Sequence, residues 1–383
     1  MKTGMKRLAV IMSMLVFINA EGVGSEGAPG LTFEEAVARI PQRTLPGFWV
    51  TDAKKIKKQL SGVSKGSVRK LGKSGGGRPM YVVTYGEKEP CHRLANFNSA
   101  VGAKEPSVYC DKQARKKPVV FFLGPVHGQE VEGLVGLMNF IQVMETGKDL
   151  RGHDWRKLKQ AGEKCRLVIV PCGNPDGVAR FKPKSLQGMA WEDLRFWGQG
   201  TWADNTFCGW PRSKRQHPMK GDNCGFLGCY FNDDGINVMH DEFFAPMGPE
   251  SKAILDLARD EAPDLAVSLH SYPPPPGLLC VAYVPLEVKQ ATQTLASQYY
   301  EKLAAQGLAD NGFHLVEEKG LIPPPFNLSS ALYHVSGAEV FTFESPHGLS
   351  GEKYTPFSLD DLLDIQLILY QEMLTFELAG KGI

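Results

Sequence analysis

Residues 118–130 read Pro-Val-Val-Phe-Phe-Leu-Gly-Pro-Val-His-Gly-Gln-Glu, an apolar run that ends in a short polar stretch. The run at 118–123 has no polar member, which is typical of a strand covered on both faces. His127 and Glu130 follow it closely, and the ends of such strands are where α/β proteins bind ligands. This stretch predicts a buried strand that leads directly into a functional site.

Two more ionisable side chains follow apolar strands. His270 comes after Leu-Ala-Val-Ser-Leu at 265–269, and Glu344 comes after Val-Phe-Thr-Phe at 340–343. Taken singly, a buried core histidine or a structural acid explains each of them. Together with His127 and Glu130 they supply more. Two imidazoles and a carboxylate are the ligand set of a catalytic zinc, and a further carboxylate can act as general base.

The other periodic segments alternate between strand-like and helix-like patterns. This alternation favours an α/β fold with a mostly parallel or mixed, twisted central sheet and helices on both faces. We expect strands at 79–85, 118–123, 166–170, 265–269, 279–284 and 340–343. We expect helices at 33–40, 51–60, 132–145, 250–260, 287–306 and 358–376.

The domain organisation follows from composition along the chain. Residues 1–25 have a basic start and a short apolar run, as in a secretory signal peptide. Residues 26–70 are interpreted as an N-terminal helical and linker segment, with a Gly-, Ser- and Lys-rich linker or turn at 61–77. The catalytic domain is expected at 71–380. A long loop insertion without periodicity falls at about 180–235.

Bulk composition limits the partners and the compartment. The 43 Lys and Arg residues nearly balance the 42 Asp and Glu residues, so no overall field favours nucleic acid. No apolar run after the signal is long enough to span a bilayer, so integral membrane association is not expected. The signal and the eight cysteines predict a secreted or periplasmic protein with disulfides. The favoured pairs are Cys91 with Cys110, and Cys208 with Cys224 or Cys229.

Several short motifs occur in an order that resembles one known family. The chain resembles the zinc carboxypeptidases of the carboxypeptidase A type over about residues 70–350. The resemblance implies their phosphorylase/hydrolase-type α/β fold. The motifs are Leu71 to Val82, His127-Gly-Gln-Glu130, Gly173-Asn-Pro-Asp-Gly177, Leu269-His270-Ser-Tyr272, Leu332-Tyr333-His-Val-Ser-Gly337 and Phe341-Thr-Phe-Glu344.

The resemblance implies a role for each matching residue. One zinc ion per chain would be held by His127, Glu130 and His270, with Glu344 as general base and acid. Tyr333 would hydrogen-bond the substrate and help to close the site. An ordinary interfacial tyrosine is the alternative for that residue.

Two departures from the family pattern concern substrate binding. In Gly-Ile-Asn-Val-Met-His at 235–240, Met239 and His240 stand where the family has an Asn and an Arg that grip a C-terminal carboxylate. Asn237 stands where the family has an Asp that orients a zinc-bound histidine. The oxyanion arginine is best matched by Arg195 in its aromatic surroundings. Its rivals are Arg180, Arg212 and Arg215.

The expected reaction is zinc-dependent hydrolysis of peptide bonds, with a metallocarboxypeptidase as the first interpretation and a peptide or peptide-like molecule as substrate. Because the carboxylate clamp is replaced, a zinc endopeptidase or an amidohydrolase acting on cell-wall peptides or acyl-amino acids is the alternative. A catalytically silent relative that binds peptide or glycan is a third hypothesis. The sequence does not indicate the oligomeric state.

Overall fold

The computed structural model describes residues 29–209, 218–221, 223–272, 276–308 and 325–383. These residues form nine strands, which are β1 (Ser67–Lys73), β2 (Pro79–Tyr85), β3 (Val119–Leu123), β4 (Arg166–Val170), β5 (Gly200–Trp202), β6 (Cys224–Leu227), β7 (Leu265–Ser271), β8 (Gly277–Cys280) and β9 (Glu339–Ser345). They also form eleven α-helices, which are α1 (Phe33–Ala38), α2 (Ala53–Leu60), α3 (Phe97–Gly102), α4 (Val131–Thr146), α5 (Arg156–Glu163), α6 (Pro175–Arg180), α7 (Trp191–Leu194), α8 (Pro249–Glu261), α9 (Leu286–Ala305), α10 (Leu328–Ser336) and α11 (Leu359–Gly380).

Seven of these strands form one mixed sheet in the order β1-β2-β4-β3-β7-β9-β8. The four central strands β4, β3, β7 and β9 run parallel, whereas β1, β2 and β8 are antiparallel to their neighbours. Strands β5 and β6 pair separately. The α/β fold with a mixed sheet is therefore confirmed.

Side chains of the central strands alternate between two apolar layers. Val120 and Phe122 of β3 pack in one layer with α4, α5, α9 and α11, whereas Phe121 and Leu123 pack in the other with α8 and α10. Every residue of β3 and β7 is buried. Helices cover both faces, which is why these strands can be apolar throughout.

The ends of three parallel strands meet at one edge of the sheet. His270 of β7 is paired in register with Glu344 of β9. Partners in adjacent parallel strands project from the same face, so these two side chains lie next to each other. The turn after β3 reaches the same edge, since Leu123 is paired with Ser268 of β7. This register brings the three predicted strand ends together.

The structure corrects the predictions for two segments. The interpretation of 61–77 as a linker or turn is wrong for Ser67–Lys73, which form β1, antiparallel to β2. Its sequence Ser-Val-Arg-Lys-Leu-Gly-Lys is polar and mostly exposed, as is common for an edge strand, so it lacks the apolar pattern on which the prediction relied. The strand predicted at 279–284 ends at Cys280. Tyr283 has a φ of 59°, which is incompatible with continued strand geometry.

Two further segments are more ordered than their sequence indicated. The predicted loop at 180–235 contains α7, a π-helical turn (Arg195–Gln199) and the β5–β6 pair. Residues 210–217 and 222 of this segment lie outside the described part. Helix α10 was not predicted. It begins at Asn327, whose side chain accepts a hydrogen bond from the Ser330 amide at 3.1 Å.

The sequence also led to predictions about the N-terminal segment, membrane spans and disulfides. The predicted signal peptide at 1–25 lies outside the described residues, and helices α1 and α2 occupy the segment that follows. None of the helices in the described part is long and apolar enough to cross a membrane. All eight cysteines are free thiols, so the structure does not support the predicted disulfides.

Candidate metal centre

The turn between β3 and α4 packs against the turn at the start of α6. A Cβ atom on Gly128 would lie 2.0 Å from the carbonyl carbon of Gly177, so only glycine allows this approach. Asn174 donates from Nδ2 to the carbonyl oxygen of Val126 at 3.0 Å. Its Oδ1 accepts from the Gly177 amide at 2.9 Å. These contacts fix the backbone that presents His127.

Three side chains from two strand ends converge in the interior. The Nδ1 atom of His127 lies 3.0 Å from Oε1 of Glu130, and Nδ1 of His270 lies 2.9 Å from Oε2 of the same carboxylate. All three residues are at most 5% exposed. One candidate ligand atom from each lies within 4.8 Å of the others. The three residues therefore surround a single point.

The outer nitrogens of both imidazoles have partners of their own. His127 Nε2 lies 3.2 Å from Oδ1 of Asn237, an oxygen that also accepts the Met239 amide at 3.1 Å. An amide oxygen can only accept, so Nε2 of His127 carries the proton and Nδ1 keeps its lone pair for the centre. His270 Nε2 lies 3.1 Å from the Ser268 hydroxyl. Such outer partners are typical of metal-binding histidines.

The charge at this point suits a cation. Burial raises the pKa of the Glu130 carboxyl, but the attraction of His127 and His270 outweighs it and lowers the pKa to about 2. Burial lowers the pKa of His127 and so favours the neutral imidazole. An ionised carboxylate and imidazole lone pairs are the donors that Zn²⁺ takes in proteins. The residues present therefore fit a zinc ion.

Glu344 lies beside this centre without belonging to the ligand set. It is partly buried, and burial raises its pKa to about 7; His270 and His347 oppose that rise, whereas Glu130 adds to it. The charge of Glu344 in turn raises the pKa of Tyr272, after the effect of burial. A carboxyl with a pKa near neutrality can exchange protons at physiological pH.

A family model for zinc carboxypeptidases matches residues 56–274, which is more than half of the chain. The chain belongs to the zinc carboxypeptidase family. Membership makes it a peptidase-type hydrolase. The matched segment includes His127, Glu130 and His270, whereas Glu344 lies beyond its end. None of the curated proteins matches the chain in sequence.

Solved carboxypeptidase structures share the fold of this family member. A metallo-carboxypeptidase from Burkholderia cenocepacia is 16% identical, with a TM-score of 0.53, over 86% of this chain and 70% of that one. Carboxypeptidase A from Helicoverpa armigera is 15% identical, with a TM-score of 0.50, over 92% and 74%. Bovine thrombin-activatable fibrinolysis inhibitor, solved with a tick carboxypeptidase inhibitor, is 13% identical, with a TM-score of 0.53, over 88% and 100%. At these identities the likeness concerns the fold alone.

Tyr333, which was predicted from the zinc carboxypeptidase pattern, lies away from the centre. The ring of Tyr333 packs edge-to-face on Phe97 with centroids 5.6 Å apart, and Phe97 also lies against Gly337, just before β9 begins. Tyr333 is thus at the edge of the sheet where the parallel strands start, opposite the metal centre. Helix α10 precedes β9 and runs antiparallel to it. Tyr333 therefore lies near the start of β9, whereas Glu344 lies near the end of that strand.

The other two predicted substrate-binding residues differ in position. The Arg195 guanidinium is buried over the ring of Phe207, 4.2 Å from its centroid. Burial lowers its pKa, and the charge of Glu192 raises it. His240 ends the 3-10 turn Val238–His240, and its amide donates to the carbonyl of Asn237 at 2.9 Å. Of these two residues, only His240 is therefore close in the chain to Asn237, the outer partner of His127.

Other neighbours of the ligands were not predicted. The ring of Tyr230 stacks on His127, with centroids 3.9 Å apart and planes 11° from parallel. Gln129 donates from Nε2 to Glu130 Oε1 at 3.0 Å. Tyr230 lies in the long insertion, where the sequence has no periodic signal. Gln129 could have been found, since it stands between the two ligands of the first motif.

Proposed function

We propose that this protein is a zinc-dependent hydrolase of peptide bonds of the metallocarboxypeptidase type, with one zinc ion on His127, Glu130 and His270. The observation that supports this most directly is the buried convergence of two Nδ1 atoms and one carboxylate within 4.8 Å. Membership of the zinc carboxypeptidase family supports the same reaction class. Zinc bound to three protein ligands acts as a Lewis acid on the scissile carbonyl and activates water.

Glu344 is the residue that we assign to proton transfer. Its carboxyl is next to His270 across the β7–β9 pairing, and its pKa, raised to about 7 by burial, suits both acceptance and release of a proton. Glu344 takes a proton from the attacking water and delivers it to the departing nitrogen. Tyr230, which stacks on His127, limits water around the same point.

A second candidate is hydrolysis of internal or blocked amides, as in a zinc endopeptidase or an amidohydrolase on cell-wall peptides or acyl-amino acids. It is favoured by Met239, which is 5% exposed and has no group that could bind a C-terminal carboxylate. A carboxylate clamp would have to come from elsewhere.

The test combines metal analysis with paired peptides. We expect about one equivalent of zinc per chain and cleavage of a peptide with a free C terminus. The same peptide with a C-terminal amide separates the two candidates, because only an endopeptidase or amidohydrolase cleaves it. Failure to cleave either peptide, in zinc-loaded protein, would favour the silent relative and contradict the proposal.

A matched pair of variants tests the role of Glu344. Glu344→Gln keeps the shape of the side chain and should retain zinc while activity falls about 100-fold to 10,000-fold, the usual contribution of a general base. Glu339→Gln alters a partly buried carboxyl at the other end of the same strand β9 and should keep wild-type activity. Equal activity of the two variants would remove Glu344 from the mechanism.

We also propose that the protein is exported, on the basis of the basic and apolar pattern of residues 1–25. Expression of the full chain with its natural N terminus, followed by N-terminal sequencing of the mature product, tests this. Cleavage after Ala20 or Ser25 is expected. Recovery of the uncleaved chain in the cytoplasm would contradict it.

A further inference from the structure

A second buried polar cluster lies directly behind the metal centre. We call Glu132, Ser271 and His347 the Glu132 cluster. Nδ1 of His347 lies 3.2 Å from Oε1 of Glu132, and the Ser271 hydroxyl donates to Oε2 of the same carboxylate at 2.8 Å. None of the three is more than 4% exposed. Ser271 stands within one family motif, but neither the resemblance nor the proposed mechanism gives any of the three residues a role.

The positions of the three residues in the chain give the cluster its meaning. Glu132 is two residues beyond the ligand Glu130, and Ser271 directly follows the ligand His270. His347 is three residues beyond Glu344. The cluster therefore ties together the first turn of α4, the end of β7 and the segment after β9, which adjoin the residues that supply the metal ligands and the base.

The hydrogen bonds of the cluster have a fixed direction. A carboxylate only accepts, so both the Ser271 hydroxyl and Nδ1 of His347 donate to Glu132. Burial opposes a charge on His347, but the carboxylate of Glu132 outweighs it and raises the pKa of that imidazole. Within the described residues nothing hydrogen-bonds Nε2 of His347. Thus Nδ1 of this imidazole is bonded to Glu132, and Nε2 remains available in the protein interior.

A buried carboxylate with two directed donors resists displacement, because moving any one segment would leave a charge without its hydrogen bonds. We propose that the Glu132 cluster is a positioning device that holds the three strand ends so that the ligands and Glu344 keep their mutual geometry. The inference rests on the proposed function for the roles of the ligands and Glu344. Its hydrogen bonds are independent of that function. Groups that fix the orientation of metal ligands set both metal affinity and turnover.

The imidazole can be tested one nitrogen at a time. Asparagine retains a donor near the position of Nδ1, glutamine retains one near Nε2, and leucine retains neither. We expect His347→Leu to weaken zinc binding about 10-fold to 100-fold, as loss of an outer partner does, and to lower kcat with little change in KM. We expect His347→Asn to restore most of both properties and His347→Gln to restore neither.

Two further variants separate positioning from stability. Ser271→Ala removes the other donor with almost no change in volume, so it should fold and show a smaller loss of zinc affinity. Asn139→Leu is the control, because it deletes a fully buried amide on the same helix α4, bonded to the carbonyl of Phe48 at 3.0 Å. Asn139→Leu should lower the melting temperature and leave zinc affinity unchanged.

Zinc affinity is measured by competition with a chelator and does not depend on activity, so a failure of the proposed reaction leaves this test intact. Unchanged zinc affinity and kcat in His347→Leu would overturn the inference. Rescue by Gln and not by Asn would also overturn it, and would indicate that Nε2 contacts the substrate. Loss of zinc affinity in Asn139→Leu equal to that in His347→Leu would reduce the cluster to a stability role.

Discussion

The two edges of the central sheet both bury charged side chains, and they differ in how those charges are compensated. At the edge where the parallel strands begin, Arg115 pairs with Asp264 at 2.7 Å and Arg166 pairs with Glu261 at 3.0 Å. At the edge where the strands end, the hydrogen-bond partners of Glu130 and Glu132 in the described part of the chain are imidazoles, the Gln129 amide and the Ser271 hydroxyl.

We therefore call the edge where the parallel strands begin the structural edge, and the edge where they end the functional edge. Asp264 and Glu261 each have a guanidinium partner, so their charges are already balanced and need no bound ion. Where carboxylates gather around imidazole lone pairs, the missing positive charge is what a bound cation supplies. Burial alone does not distinguish the two edges. The type of partner does.

The largest expected effect breaks the functional edge. Glu130→Gln replaces the charged ligand by a neutral amide, so zinc should be lost and activity should fall by more than about a thousandfold, since carbonyl polarisation and water activation depend on the ion. Elemental analysis and peptide hydrolysis measure this. A chelator should inactivate the wild-type protein in the same way, and added zinc should restore it. A Glu130→Gln protein that keeps its zinc would refute the ligand set.

The corresponding change at the structural edge should act on stability alone. Arg115→Leu leaves the partly buried Asp264 without its guanidinium partner and removes a hydrogen bond to the Ala262 carbonyl at 2.9 Å. Breaking a buried pair in this way costs about 3–5 kcal/mol of unfolding free energy. Denaturant unfolding measures the cost. At a temperature where the variant is folded, its zinc content should equal that of wild type. A lower zinc content would contradict the assignment of this edge to stability alone.

A smaller effect tests the outer partner of a ligand. Asn237→Ala removes the oxygen that holds the protonated Nε2 of His127, so zinc affinity should fall about 10-fold to 100-fold. Asn327→Ala is the matched control, since it removes an asparagine cap from α10 and should affect stability only. Chelator competition compares the two. Equal zinc affinity in both variants would show that Asn237 does not orient His127.

The smallest effect is in the pH dependence of catalysis. Burial raises the pKa of Glu344 to about 7, and a general base acts only in its ionised form. Activity should therefore be lost as the pH falls through the pKa of this carboxyl. A bound cation favours the ionised form, so the acid limb of kcat/KM should lie at or below pH 7. An acid limb centred above that value would contradict the assignment.

The fold and the ligand set could be predicted because they depend on local patterns. Buried parallel strands have few polar residues, so β3, β7 and β9 were recognised, and the side chains that follow them had to reach the same edge. Edge strand β1 was missed because its polar sequence has no such pattern. Helix α10 was missed because its nine residues, three of them serines, are too few to show a helical period clearly.

The sequence by itself determined the chemistry available at the strand ends, because the order of apolar run and ionisable residue is local. Only the tertiary structure decided which side chains meet. The direction of α10 takes Tyr333 to the opposite edge, and the packing of the long insertion seats Arg195 on Phe207 and Tyr230 on His127. The Glu132 cluster likewise joins residues up to 215 positions apart. Such contacts depend on how connecting segments pack, and no local pattern contains that information.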